Sequence, residues 1–148
     1  MKPIKKILVP VDFSEQSTEA LRLAADLAQR YEASLDLLHV FHVMTYALPE
    51  GYVVPTADQL ALIMQKYRVQ LEAARQSALN AGAPKVEAIL LQGGVASEIL
   101  RAAQESKPDL IVMGTHGRTG AKHLLIGSVA EHIVRVAPCP VLTVRAPV

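Results

Sequence analysis

Short apolar runs alternate with longer helical patterns from one end of this 148-residue chain to the other. Ile7-Leu8-Val9-Pro10-Val11 opens the series and breaks at Asp12, after which Ser14 offers a helix cap with Glu15 in the first turn. Ala20, Leu21, Ala24, Leu27, Ala28 and Tyr31 then recur at helical spacing, while Arg22, Asp26, Gln29 and Arg30 fall on the other face. A second buried strand is expected over 35–43. The irregular stretch 44–56, with Pro49, Gly51 and Pro55, reads as a surface loop or lid. Leu60, Ile63, Met64, Tyr67, Leu71, Ala74 and Ala78 make the stripe of a second helix, which ends near Asn80-Ala81-Gly82 before Pro84. A third strand, 86–91, closes at Gly93-Gly94 and leads into a helix over 95–106 that buries Ala96, Ile99, Leu100 and Ala103. Pro108 and Asp109 precede a fourth strand, 110–113, and a glycine-bearing segment, 114–127, follows it. A short helix from about Ser128, with Val129, Ile133 and Val136 on one side, leads to a last strand over 140–144.

Five strands joined by four helices in strict alternation imply a single-domain α/β fold: a parallel sheet with right-handed crossovers and helices on both faces. The strand order of such a sheet must reverse somewhere, and ligands bind at that reversal, outside the carboxyl ends of the strands. Asp12, after the first strand, and the residues from Gly114, after the fourth, are therefore the places to inspect.

Composition agrees. Hydrophobic residues make up 51% of the chain, yet it holds 2 Phe, 4 Tyr and no Trp, so its core is aliphatic, as a buried parallel sheet requires. With 15 Lys+Arg against 14 Asp+Glu, the balance gives no reason to expect nucleic acid as a partner. Lys2, Lys5 and Lys6 read as a solvated flank. No apolar run approaches the roughly 18 residues that span a bilayer, and nothing at the start resembles a signal peptide. The lone Cys139, between Pro138 and Pro140, has no partner for an internal disulfide and reads as a passive small hydrophobe. A cytoplasmic setting is expected.

The glycines at 114, 117, 120 and 127 fit neither common nucleotide fingerprint. No Gly-Lys-Ser/Thr run makes a P-loop, and Pro10-Val11-Asp12 occupies the turn where a dinucleotide fold carries its glycines. The segment still suits phosphate. Gly114 and Gly117 leave the strand end free of Cβ atoms, so amides can approach an anion. Gly127 and Ser128 open a helix whose first N–H groups favour negative charge, Ser128 adds a hydroxyl, and Arg118 and Lys122 lie near enough to offset charge. The same residues also suit turn formers and a plain helix cap.

This chain resembles the ATP-binding branch of the universal stress protein family. Gly114, Gly117, Gly127 and Ser128 match its G-2x-G-9x-G-[S/T] pattern, and the likeness extends through Ile7-Leu8-Val9-Pro10-Val11-Asp12, Leu38-His39-Val40, Asp109-Leu110-Ile111-Val112-Met113-Gly114 and Pro138-Cys139-Pro140-Val141-Leu142-Thr143-Val144. The resemblance implies a Rossmann-like, five-stranded sheet in order 3-2-1-4-5. It implies a homodimer meeting along Val141, Leu142, Thr143 and Val144; a bare apolar edge strand would also be a pairing hazard. Carried over residue by residue, Pro10, Val11, Asp12 and Val40 would wall the adenosine, with Asp12 on a ribose hydroxyl or near the phosphate-bound metal. Asp12 also stands where it can cap the first helix. Met113 and Gly114 would flank adenine and ribose; Gly117, Gly127, Ser128 and Val129 would contact phosphate; Arg118 would approach the triphosphate. Nothing is carried over for 44–54.

His116, inside the glycine pattern, is placed to touch phosphate or ribose. His39 and His42 fall on opposite faces if their strand stays extended, and no convergent zinc set is legible. Mg²⁺ is expected to ride on the phosphates of ATP. The expected function is an ATP-binding, nucleotide-dependent stress-response regulator with a protein partner the sequence does not identify. A slow ATP hydrolase and a nucleotide-independent interaction module are the alternatives.

Overall fold

A computed structural model describes residues 2–117 and 126–147. In chain order it contains β1 (Lys6–Pro10), α1 (Glu15–Tyr31), β2 (Ser34–Phe41), β3 (Tyr46–Leu48), β4 (Gly51–Val53), α2 (Ala57–Asn80), β5 (Lys85–Gln92), α3 (Val95–Ser106), β6 (Leu110–Gly114), α4 (Ser128–Val136) and β7 (Val141–Val144). Five strands form one parallel sheet in the order β5-β2-β1-β6-β7. Counting those five alone, the order is third, second, first, fourth, fifth, so the reversal falls between β1 and β6.

Alternation along the strands divides the core into two. Ile7, Val9, Val11, Leu35, Leu37 and Val112 point to one face, where they meet Ala20, Ala24 and Ala28 of α1 and Leu71 and Ala78 of α2. Leu8, Leu38, Val40, Ile111 and Met113 point to the other, against Ile99 and Ala103 of α3 and Ala130 and Ile133 of α4. The alanines of α1 are wholly buried, and their small size lets that helix lie close on the sheet. Cys139 packs at the margin of the second cluster, and burial pushes its thiol pKa up. Among the described residues no helix is long and apolar enough to cross a membrane.

Two stretches differ from the expectation. The second strand stops at Phe41 rather than running to Val43, since the carbonyl of Phe41 takes its last bond from the amide of Gly93, where β5 has ended. The stretch read as irregular contains a two-stranded antiparallel hairpin, with Tyr46 opposite Val53 and Leu48 opposite Gly51. Pro49 and Glu50 form its turn, and Gly51 takes φ 135°, a value that favours glycine. Thr56 and Gln59 then start α2 with a reciprocal capping box.

The basic N-terminal flank is also more than solvated. Asp109 accepts from the amides of Lys5 at 2.9 Å and Lys6 at 3.1 Å, and its other oxygen pairs with the Lys2 ammonium at 2.7 Å. It ties the start of β1 to the start of β6. The Lys2 ammonium and those two amides hold the Asp109 carboxyl below its ordinary pKa. A depressed carboxylate pKa stabilises the fold above the unfolded-state value, roughly 4, and that stabilisation is lost as pH falls through the folded value. Asp109→Asn should therefore lower unfolding free energy by about 1–2 kcal/mol at neutral pH, chiefly through the amide bonds, because the exposed Lys2 contributes little. Urea titrations of the two proteins should converge as the pH is brought below about 4.

Candidate functional site

Where β1 and β6 lie side by side, the chain leaves β1 for α1 on one face and leaves β6 toward α4 on the other. The divergence opens a cleft of about 340 Å³ at the carboxyl ends of the strands, within the size range of small-molecule sites. Pro10 and Val11 from β1 and its exit, Leu38 and Val40 from β2, and Met113 from β6 supply apolar walls, with Val95 and Ile99 of α3 beside them. Asp12, Ser17, Thr115, His116 and Ser128 supply the polar groups, and Gly114, Gly117, Gly127, Val129 and Ala130 complete the lining. The cleft thus gathers every expected site residue among those described. Arg118, Lys122 and His123 lie outside the described residues.

Asp12 is held by a tight turn. Its Oδ1 accepts from the amide of Ser14 at 3.0 Å, and its own amide donates to Ser17 Oγ at 3.3 Å. Ser14, rather than Asp12, caps α1, accepting from the amide of Ser17 at 3.2 Å. Across the cleft Gln16 fastens the β6 exit: its Oε1 accepts from Thr115 Oγ1 at 2.9 Å and from the amide of His116 at 2.8 Å. His116 Nδ1 lies 3.1 Å from Thr115 Oγ1.

The start of α4 faces the cleft in another manner. Gly127 is its N-cap and Ser128 its first helical residue, so no side chain of the cap satisfies the first turn. The first bond inside the helix runs from Glu131 N to Gly127 O at 2.9 Å. The amides of Ser128, Val129 and Ala130 precede it and have no intrahelical acceptor. Three N–H groups and the positive end of the helix dipole therefore gather where Ser128, Val129 and Ala130 line the cleft.

A family model described as the universal stress protein family matches residues 3–145. The chain belongs to that family. A universal stress protein of Methanocaldococcus jannaschii is 37% identical over 145 residues, covering 97% of this chain and 83% of its own. UspA of Lactobacillus plantarum, a solved universal stress protein, superposes with a TM-score of 0.81 at 26% identity over 98% of this chain and all of its own. A universal stress protein solved in complex with cAMP has a TM-score of 0.75 at 23% identity, covering 99% of this chain and 100% of its own; at that identity the likeness is one of fold.

The glycines of this universal stress protein also meet packing constraints from the chain itself. None of Gly114, Gly117 and Gly127 takes a positive φ, so they are not needed for left-handed turns. A Cβ on Gly114 would stand 3.0 Å from Gln16 Cβ and 3.3 Å from the amide of Ser17, so its bareness lets α1 close on the strand end. A Cβ on Gly117 would meet Asp12 Oδ2 at 2.7 Å, and one on Gly127 would stand 3.1 Å from the carbonyl of Thr115. Several amides near these glycines are occupied: Thr115 N bonds Val144 O, His116 N bonds Gln16, and Gly127 N bonds Thr115 O at 2.6 Å. Among the described residues, the first turn of α4 is where amides without an intrahelical acceptor line the cleft.

Sequence reasoning missed Ser17, Leu38, Val95, Ile99, Thr115 and Ala130 in the lining. Val95 had a signal, because Gly93-Gly94 ends β5 and Val95 begins α3 at the same edge of the sheet. Ser17 had none; only the folded turn brings its hydroxyl beneath Asp12.

Proposed function

We propose that this universal stress protein belongs to the family's ATP-binding branch and acts as a homodimeric, nucleotide-dependent stress-response regulator. The observation that carries the reading is the mouth of α4, with no cap side chain on its first turn, opening on an apolar cleft beside Asp12. Val11, Val40, Pro10 and Met113 sandwich the adenine, and Gly114 lies along adenine and ribose. Asp12 accepts from a ribose hydroxyl. Ser128 and Val129 hold phosphate with their amides, and Gly117 and Gly127 leave room for it, with His116 nearby; Arg118 is assigned to offset the charge of the triphosphate. Mg²⁺ rides on the phosphates and keeps most of its water. The solved relative with cAMP supports an adenine nucleotide in this fold. Two copies pair along the edge strand β7, where Leu142 is exposed.

Burying an adenine of roughly 150 Å² contributes about 4 kcal/mol, and charge-assisted hydrogen bonds add about 1.5–3 kcal/mol each. Against an association cost of about 4–15 kcal/mol, dissociation constants in the micromolar range follow. Acid extraction of the purified protein followed by mass spectrometry should release an adenine nucleotide. Calorimetry on the emptied protein should give micromolar ATP binding, and light scattering should give twice the chain mass. A protein that carries no nucleotide and gives no heat with millimolar ATP overturns the assignment.

A further inference from the structure

His39 lies outside the cleft, on the face of the sheet covered by α1 and α2, yet it grips the chain on both sides of Asp12. It is only 7% exposed. Its ring sits between Phe13 and Tyr67, with centroid distances of 4.6 and 4.5 Å. Its Nδ1 lies 2.7 Å from the carbonyl oxygen of Val11. A carbonyl cannot donate, so Nδ1 carries the proton and donates. That bond sits where β1 leaves the sheet, just past the ladder bond from Val11 N to Leu38 O at 2.8 Å. The other polar group of the same peptide unit, the amide of Asp12, donates to Ser17 Oγ. Two buried side chains thus fix the plane of the Val11–Asp12 peptide from its two ends. On the far side of Asp12, Phe13 takes φ 65°, a left-handed conformation that a non-glycine residue holds only when its surroundings impose it. The His39 ring, packed on the Phe13 ring, is part of that imposition.

We propose that His39 is a positioning residue for the nucleotide site, setting the orientation of the Asp12 carboxylate through the Val11 carbonyl before it and the Phe13 ring after it. The inference rests on the reading that an adenine nucleotide occupies the cleft. It assigns to a histidine that touches no ligand a share of the affinity. The Asp12 carboxylate lies close against the β6 exit, its Oδ2 2.7 Å from where a Cβ on Gly117 would stand.

Two substitutions separate positioning from packing. His39→Phe keeps an aromatic ring between Phe13 and Tyr67 and removes the donor. His39→Asn places an amide donor close to the Nδ1 position and removes the ring. With both variants assayed well below their melting temperatures, His39→Phe should weaken ATP binding about tenfold, whereas His39→Asn, although less stable, should bind within about threefold of the parent. Nitrogen NMR of the unliganded parent should also show the His39 ring protonated at Nδ1. Affinity that simply follows stability across the two variants overturns the proposal, as does an unaltered affinity in His39→Phe or an Nε2-protonated ring. If the parent protein itself fails to bind ATP, the cleft reading fails and takes this one with it. A parent that binds beside an indifferent His39→Phe removes the histidine's role alone.

Discussion

Gly127→Asp should reduce ATP affinity by more than about 100-fold while leaving the fold as stable as before. Gly127 is the N-cap of α4, with φ −74° and ψ 161°, a conformation open to any residue. Aspartate is among the preferred N-caps, and its carboxylate would turn back to accept from the amides of the first turn. Those are the amides assigned to phosphate. The substitution thus occupies the donors from within and sets a negative charge where a negative ligand must sit. Losing two charge-assisted hydrogen bonds at about 1.5–3 kcal/mol each accounts for a loss of more than about 100-fold, at about 1.4 kcal/mol per factor of ten. Stability has two opposing terms. A new Cβ stands 3.1 Å from the carbonyl of Thr115, so that strand exit must yield by a few tenths of an ångström. The new cap returns a few tenths of a kcal/mol over glycine, and its charge at the helix N-terminus about 0.3–1 kcal/mol more, which together offset it. Calorimetry with ATP, paired with thermal unfolding of the nucleotide-free protein, checks both halves. Retained micromolar affinity would move the phosphate site away from α4. Gly127→Asn, which caps without the charge, should fall between the two.

The fold was legible because each level of the sequence agreed with the next. The third helix was read with the same ends that it has, Val95–Ser106, since a glycine pair precedes it and Pro108 follows. The reversal between β1 and β6 led to the cleft before any side chain was placed. What failed to show was whatever lacks a buried face or depends on distant neighbours. The hairpin β3–β4 is exposed along its whole length, so no core-facing period marks it, and its prolines and glycine read as loop. His39 and His42 were compared on the condition that their strand stays extended through both, and that condition is not met: the strand ends at Phe41 and His42 is exposed beyond it. The glycines were assigned to ligand approach, and nothing near them in sequence discloses the further constraint that Gln16 and Asp12 stand against Gly114 and Gly117.

Gly114→Val tests that last distinction, because it should damage the fold rather than the ligand contacts. The Cβ of residue 114 would fall 3.0 Å from Gln16 Cβ, 3.2 Å from the Gln16 carbonyl carbon and 3.3 Å from the amide of Ser17. Two of those atoms are backbone of the first turn of α1, which cannot swing aside as a flexible side chain would. The helix is held there by its Ser14 cap, by Ser17 beneath Asp12 and by the two bonds that Gln16 accepts from Thr115 and His116. Branching at Cβ drives methyl groups further into the same space. Overpacking of this kind costs about 1–3 kcal/mol, and a valine against backbone belongs at the upper end, near 3 kcal/mol. For a chain of this size that is a fall in melting temperature of roughly 6–12 °C. The loss should be present without nucleotide, and Gly114→Ala should show about a third of it. Had the glycine been there only to admit a ligand, the unliganded variant would melt with the parent and lose affinity alone. The same strand end would then have to stand clear of α1, and the contact between Gly114 and Gln16 would not exist. The two glycines at either end of the pattern are thus expected to fail in opposite ways: Gly127 loses the ligand and keeps the fold, whereas Gly114 loses stability first and the ligand only as a consequence.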